Sequence, residues 1–227
     1  AGLFDVSHMG VLELSGPGAA RFLDLVTTNY VLSLQPGQAH YSYVLDPDGL
    51  AIDDVFLYRV ARDRFILVVN AANAERVESW LRAVNDRSCL IDRRNPAMEV
   101  DAQATIRNLK DAASGDDRRV DLALQGPKSL TVLRRLVDAT TAARIARLGK
   151  SEFVIGSVAG IEAIVSRTGY TGEDVGYELY VHPDRAPELW RRLLEVGAED
   201  GLRPAGLGAR DSTRTEAGFP LYGHELA

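Results

Sequence analysis

What this chain of 227 residues has little of narrows its class. It contains one cysteine, Cys89, which excludes an intrachain disulfide framework and a cysteine-rich zinc site, and which fits a reducing compartment. Cys89 is read as a small buried hydrophobe. No apolar run approaches the ~20 residues that span a bilayer, and no basic-then-apolar leader opens the chain, so the reading is cytoplasmic with no membrane partner. No lysine- or arginine-rich run offsets the acids. With 26 basic against 32 acidic residues and a net charge of -6, nucleic acid is not an expected partner. His8, His40, His182 and His224 lack the HxxxH or HxH spacing of a metal site, so no metal is expected. Gly-x-Ser-x-Gly, GxGxxG and P-loop spacings are missing too, which leaves a serine hydrolase or a nucleotide-binding sheet without support. The chain opens Ala1-Gly2-Leu3-Phe4 and stops at Leu226-Ala227 without a closing helix; it reads as a fragment of something longer.

What is present organises itself around Arg167-Thr168-Gly169-Tyr170-Thr171-Gly172-Glu173-Asp174-Val175-Gly176-Tyr177-Glu178. A strand-like run, residues 158–165, enters this glycine-rich loop, and Tyr177-Glu178-Leu179-Tyr180-Val181 alternates after it, so Glu178 lies near the start of a returning strand that fixes its direction. A repeat frames the loop. Leu12-x-Leu14-x-Gly16-Pro17, followed by an apolar-faced helix over 19–26, recurs as Leu122-x-Leu124-x-Gly126-Pro127, followed by a helix over 130–137. After the first copy come a hairpin (41–45, the turn Asp46-Pro47-Asp48-Gly49, 51–58), a strand over 64–70, a helix over 73–84 carrying Trp80, and a strand at 89–91. After the second come a hairpin from Glu152 through the glycine loop to Val181 and a helix over 186–196 carrying Trp190. The expected fold is therefore α+β: two interleaved, related units of antiparallel sheet with helices on one face. The charged stretch 92–119 is read as a long exposed connection with one short helix over 104–112.

Asp53 and Asp54 are consecutive in a strand, so their side chains take opposite faces and one of them faces inward or into a cleft. A partly desolvated carboxylate there has a raised pKa and suits proton exchange with a basic nitrogen; the plainer alternative is an edge strand with one acid solvated and the other paired to Arg59 or Arg62. Arg210-Asp211 and Arg214-x-Glu216 lie at helical spacing after Gly206-Leu207-Gly208, as ordinary helix pairs or with Arg210 free to grip a carboxylate.

Six stretches in order carry a family resemblance: residues 3–10 (LFDVSHMG), Ile52-Asp53-Asp54 with Arg59, residues 68–73 (VVNAAN), Leu122-x-Leu124-Gln125-Gly126-Pro127, residues 167–174 (RTGYTGED), and residues 206–223. Together they resemble the folate-dependent aminomethyltransferase family, the T-proteins of glycine cleavage. The resemblance implies three domains around a hole that holds tetrahydrofolate. Here the first, discontinuous domain would be residues 1–12 and 136–227 and the second, ferredoxin-like domain 13–135, with the C-terminal β-barrel and the extreme N-terminus absent. It implies an aminomethyl group taken from the lipoyl arm of the H-protein, ammonia released, 5,10-methylenetetrahydrofolate formed and no metal. It marks Asp54 as the inward, proton-handling carboxylate and Glu178 as the pterin anchor. Tyr170 would pack at the pterin, Asn70 would bond its polar edge, Arg210 would meet an anionic part of the substrate, and Tyr222 would line the wall. Val175 is a one-residue insertion against the family's usual spacing, which puts the direction of Glu178 in question. A folate-dependent demethylase of a methylated amine, aryl ether or sulfonium, or the folate domain of a sarcosine- or dimethylglycine-oxidising enzyme, would reuse the same motifs. A non-catalytic folate-binding relative of the iron–sulfur repair type would carry a cysteine in the glycine loop, and this loop has none.

Overall fold

The computed structural model describes residues 1–226. Its strands and helices run β1 (Gly2–Asp5), β2 (Gly10–Ser15), α1 (Ala19–Val26), β3 (Ala39–Leu45), β4 (Ala51–Ala61), β5 (Arg64–Val69), α2 (Ala74–Asn85), β6 (Thr105–Asn108), β7 (Val120–Gln125), α3 (Ser129–Arg134), α4 (Ala139–Ala146), β8 (Phe153–Val158), β9 (Ile161–Ser166), β10 (Gly176–Val181), α5 (Ala186–Gly197), β11 (Arg203–Ala205) and α6 (Leu207–Glu216). They form two compact units: a first of Ala1–His8 with Gly115–Pro220, and a second of Met9–Ser114 with the residues from Leu221 onward.

The second unit is a sheet in the order β3-β4-β5-β2-β6, antiparallel throughout. Alternate residues Leu12, Leu14, Phe65, Leu67, Val69, Val55 and Leu57 face α1 and α2 in one core. In α1, Ala19, Phe22, Leu23 and Val26 recur at helical spacing and are buried. Taking Phe22 fully out of water is worth roughly 1.5–3 kcal/mol. The helix stops where Thr27 turns extended and returns both its N–H and its hydroxyl to the Leu23 carbonyl. On α2 the buried stripe is Val77, Leu81 and Val84, and Glu78 pairs with Arg82 on the outer side.

The first unit has the order β8-β9-β10-β7-β1-β11, antiparallel except for the β1–β11 pair. Its core joins Leu122, Leu124, Tyr177, Leu179, Val181 and Val165 to α3, α4 and α5 through Val132, Leu133, Ile145, Leu189 and Leu193. Ala159 and Gly160, both at positive φ, make the two-residue turn from β8 to β9.

The α+β expectation of two sheets with helices stands, and several local expectations are corrected. The unit boundary falls at Ser114/Gly115, not at 135/136, because β7 lies between β10 and β1 in the first unit's sheet. Residues from Leu221 onward belong with the second unit, and Met9–Leu12 do as well. Cys89–Ile91 is not a strand; Cys89 and Ile91 pack against the second core from an irregular segment. The helix expected over 104–112 is instead strand β6, paired with β2, and the connection is not wholly exposed. Val100, Ala102, Ala104 and Ile106 are all buried, a period of two that places them on the core side of an extended chain. Helix α4 was not foreseen; Asp138 caps it by accepting the Thr141 N–H at 2.9 Å.

Candidate functional site

In the second unit, β4 delivers Asp53 and Asp54 to opposite faces, as adjacent strand residues must be. Asp53 is the fully enclosed one, at 0% exposure, on the face with Val55 and Leu57; Asp54 is only partly buried. The resemblance marked Asp54 as the inward carboxylate, and burial runs the other way.

The end of β5 brings Asn70 over both acids. Its side-chain Nδ2 donates to Asp53 Oδ1 (2.9 Å) and Asp54 Oδ1 (2.8 Å), and its backbone N–H donates to Asp53 Oδ2 (2.8 Å). Asn73, at the start of α2, donates a further bond to Asp53 Oδ1 at 2.7 Å. Asp54 Oδ2 accepts the Tyr41 hydroxyl of β3 at 3.0 Å. Among the described residues neither acid meets a cation: Arg59, one of the two partners considered with Arg62, gives its guanidinium to the Leu34 and Arg62 carbonyls. Burial therefore pushes both carboxyls above the ordinary value, partly offset at Asp53 by Asn73 and Asn70 and at Asp54 by Tyr41 and Asn70. The Tyr41 phenol is pushed upward by burial, by Tyr43 and by the charge of Asp54, so it stays a donor at neutral pH. Tyr222 is fastened in the same unit: its hydroxyl donates to the Ala51 carbonyl (3.2 Å) and lies 3.3 Å from Arg76 NH1.

The first unit holds the other expected residues. Glu178 sits in the uninterrupted β7–β10 ladder opposite Ala123, and beside Ser166 of β9. Val175 lies just outside β10, its carbonyl taking the Gly126 N–H at 2.8 Å, so it falls in the loop and the register of β10 is unbroken. Glu178 Oε2 accepts the Thr168 hydroxyl at 2.6 Å and lies 3.5 Å from the Tyr180 hydroxyl. No cation among the described residues pairs with it.

The glycine loop is wrapped around the buried side chain of Gln125. Gln125 Nε2 donates to the Thr168 carbonyl (3.1 Å), and its Oε1 accepts the Thr171 hydroxyl (3.0 Å). A Cβ on Gly169 would stand 1.9 Å from Gln125 Oε1, and one on Gly176 would stand 2.4 Å away. Those two glycines are there for close approach. Tyr170 stacks on Phe219 (5.8 Å, 21°), bonds the Pro220 carbonyl, and carries Arg210 of α6 over its ring at 4.7 Å. Among the described residues a buried guanidinium nitrogen of Arg210 has no partner, and Arg214 beside it is held by Asp211 at 2.7 Å.

Asp121, not singled out in the sequence, is buried under the same ladder, opposite Tyr180. Burial and the nearby Glu178 charge raise its pKa well above the ordinary range, and one of its oxygens has no partner among the described residues. Tyr41, Asn73, Thr168, Gln125 and Asp121 were all missed as contributors. For Gln125 and Asn73 the signal was their place in the quoted motifs; for Tyr41 it was only the alternation of β3. Among the described residues, no group of three or more His, Cys, Asp or Glu side chains is arranged to hold a metal ion. No helix there is long and apolar enough to cross a membrane. Two cavities of ≈ 280 and ≈ 350 Å³ lie beside Ile91 and Met98 in the second unit, and neither is lined by Asp54 or Asn70.

Two like-ordered sheets, each with helices on one face, define an α+β fold shared with a heterotetrameric sarcosine oxidase from Corynebacterium sp. U-96. That match has a TM-score of 0.53 at 17% identity, over 87% of this chain and 83% of that one, and is a likeness of fold alone. A glycine cleavage system aminomethyltransferase T from Bartonella henselae matches with a TM-score of 0.73 at 31% identity, over 98% of this chain and 52% of that one. The sequence matches the GCVT N-terminal domain over residues 1–227, and the chain belongs to that family. Relatives named aminomethyltransferase are 42% identical over 226 residues in Desulfitobacterium hafniense (strain Y51), covering 100% of this chain and 55% of the relative, and 40% identical over 225 residues in Halothermothrix orenii, covering 99% and 56%. The chain spans about half the length of the curated relatives it matches.

Proposed function

We propose that this chain belongs to a tetrahydrofolate-dependent aminomethyltransferase of glycine cleavage. In this reading the protein takes the aminomethyl group from a lipoylated H-protein, releases ammonia and forms 5,10-methylenetetrahydrofolate, in the cytoplasm. The observation that carries the reading is 42% identity along the whole chain to a protein named aminomethyltransferase.

The geometry supports a role for each acid. Losing ammonia while a folate nitrogen takes up carbon requires a group that exchanges a proton near neutrality. Asp54, partly buried, raised in pKa and held by the neutral donors Tyr41 and Asn70, suits that task. Glu178 is held by hydroxyls and not by a cation, so it can accept paired N–H donors from a pterin edge. Tetrahydrofolate supplies the nucleophilic nitrogens and accepts the carbon. Arg210, with its unpartnered nitrogen over Tyr170, is proposed to meet an anionic part of the substrate. Tyr170 is proposed to pack at the pterin and Tyr222 to line the substrate wall.

The test is calorimetry with tetrahydrofolate on the protein expressed from its complete gene, followed by turnover with lipoylated H-protein. Micromolar binding, on the order of -8 kcal/mol, is expected for the wild type. Asp54→Ala should keep most of that binding and lose turnover, and Glu178→Ala should lose the binding. A wild type that binds no reduced folate would overturn the reading.

A further inference from the structure

Asn70 is held in a way that its proposed role as a ligand contact does not require. Three of its interactions end on Asp53 or Asp54 side chains: Nδ2 to one oxygen of each acid, and its backbone N–H to the second oxygen of Asp53. Nδ2 also lies 3.2 Å from the Asp54 carbonyl. With acceptors on that side of the amide, a flipped side chain would set Oδ1 against two carboxylates and lose both bonds. The amide therefore has one stable orientation, and its Oδ1 has no hydrogen-bond partner among the described residues. Asp53 itself is kept in place by Asn73, whose Nδ2 donates at 2.7 Å, and by full enclosure on the core face of β4. A carboxylate enclosed with no cation is a poor contributor to stability. Asp53 is too enclosed to touch a ligand itself, and its hydrogen bonds lead to Asn70, which is only partly buried.

We propose that Asp53 is a positioning residue: it locks the Asn70 amide so that Oδ1, and not Nδ2, is offered to the ligand, making this point of the second unit selective for an N–H donor. The proposal deepens the tetrahydrofolate reading and rests on it for the identity of the donor, while the lock itself is a property of the protein alone. Asp54 shares the lock through its Oδ1 and keeps its own proton chemistry.

Two measurements on the protein expressed from its complete gene separate the lock from the ligand. The first is NMR of the Asn70 side-chain amide without ligand. Both Hδ2 protons should be shifted as hydrogen-bonded donors and protected from exchange in the wild type, with protection of the proton given to Asp53 lost in Asp53→Asn and that of the proton given to Asp54 reduced. If Asp53→Asn does not fold, Asn73→Ala, which leaves Asp53 ionisable but less held, should lower the protection partway. Wild-type Hδ2 protons that exchange as freely as those of an exposed asparagine overturn the proposal whatever the ligand is. The second is a double-variant cycle read by tetrahydrofolate affinity. Asp53→Asn should weaken binding about tenfold in the wild-type background and less than about twofold when Asn70 is already alanine. Equal weakening in both backgrounds would show that Asp53 acts on the fold and not through Asn70. Protected Hδ2 protons with no folate binding would leave the lock standing and overturn the folate reading alone.

Discussion

The two units repeat one strand order and put an acid into the same ladder by opposite routes. Aligning Leu122-x-Leu124-x-Gly126 with Leu12-x-Leu14-x-Gly16 makes Ala123 the counterpart of Glu13, and the registers then make Glu178 the counterpart of Ile66. In the second unit the acid is Glu13 on the β2 side, 2% exposed, met by Arg64 at 2.6 Å and Arg107 at 3.1 Å. In the first unit it is Glu178 on the opposite strand, met among the described residues by the hydroxyls of Thr168 and Tyr180. An acid neutralised by two guanidiniums has its lone pairs and its charge spoken for, so it is part of the framework. An acid with only hydroxyl partners keeps charge to offer a ligand. The links differ in the same sense. Residues 62–63 join β4 to β5, whereas 167–175 join β9 to β10, wound around Gln125 where the second unit has Ser15. Both loops still close with a glycine N–H on the link, Gly16 to Asp63 at 2.9 Å and Gly126 to Val175 at 2.8 Å.

The largest test of this contrast is removal of each acid. Glu13→Ala should cost about 2–3 kcal/mol in urea unfolding, since it leaves a gap at a buried position and removes the charge that Arg64 and Arg107 share. Glu178→Ala should cost less than about 1 kcal/mol while abolishing tetrahydrofolate binding. Equal stability losses would erase the distinction between framework and ligand acid.

Next in size is the loop. Gly169→Ala should cost about 2 kcal/mol because its Cβ would overlap Gln125 Oε1. The same change should cost under about 0.5 kcal/mol when Gln125→Ser has already removed the obstruction; additive losses in denaturant titrations would show that the strain lies elsewhere.

Asp121 gives a third comparison, since the second unit has apolar Val11 at that position. A carboxyl raised in the folded state holds its proton more tightly folded than unfolded. Its favourable contribution is complete below the ordinary value of 3.8 and is lost as pH climbs through the raised folded value. Asp121→Asn should therefore raise the melting temperature at neutral pH, with the gain shrinking toward about pH 4. A gain that does not vary with pH would mean that packing, not titration, is responsible. The smallest expected effect is Thr168→Val, which removes one hydroxyl from Glu178 and should weaken tetrahydrofolate about three- to tenfold in calorimetry, with little change in unfolding.

Much of the fold was legible because its signals are local. The buried spacing of Phe22, Leu23 and Val26, the alternation of Tyr177 through Val181 and the recurrence of Leu-x-Leu-x-Gly-Pro each follow from helix or strand period within a few residues. That Asp53 and Asp54 face opposite ways was equally determined, since a strand leaves no other choice. Which of them is enclosed was not, because that depends on where α2 and Asn73 come to rest, 20 residues along the chain. β6 was misread as helix because Thr105-Ile106-Arg107-Asn108 is too short to show a period of its own, and only pairing with β2 makes it an edge strand. β1 and β11 escaped notice, and the unit boundary with them, since each is a few residues long and β1 acquires its place from β7, more than a hundred residues away, while β11 pairs only with β1. The sequence by itself determined the longer, strongly periodic elements, the repeat and the Asp53, Asp54 and Glu178 candidates. The tertiary structure decided which acid is enclosed, which is paired with arginines and which meets hydroxyls, because burial and partners come from chain segments that local periodicity cannot relate.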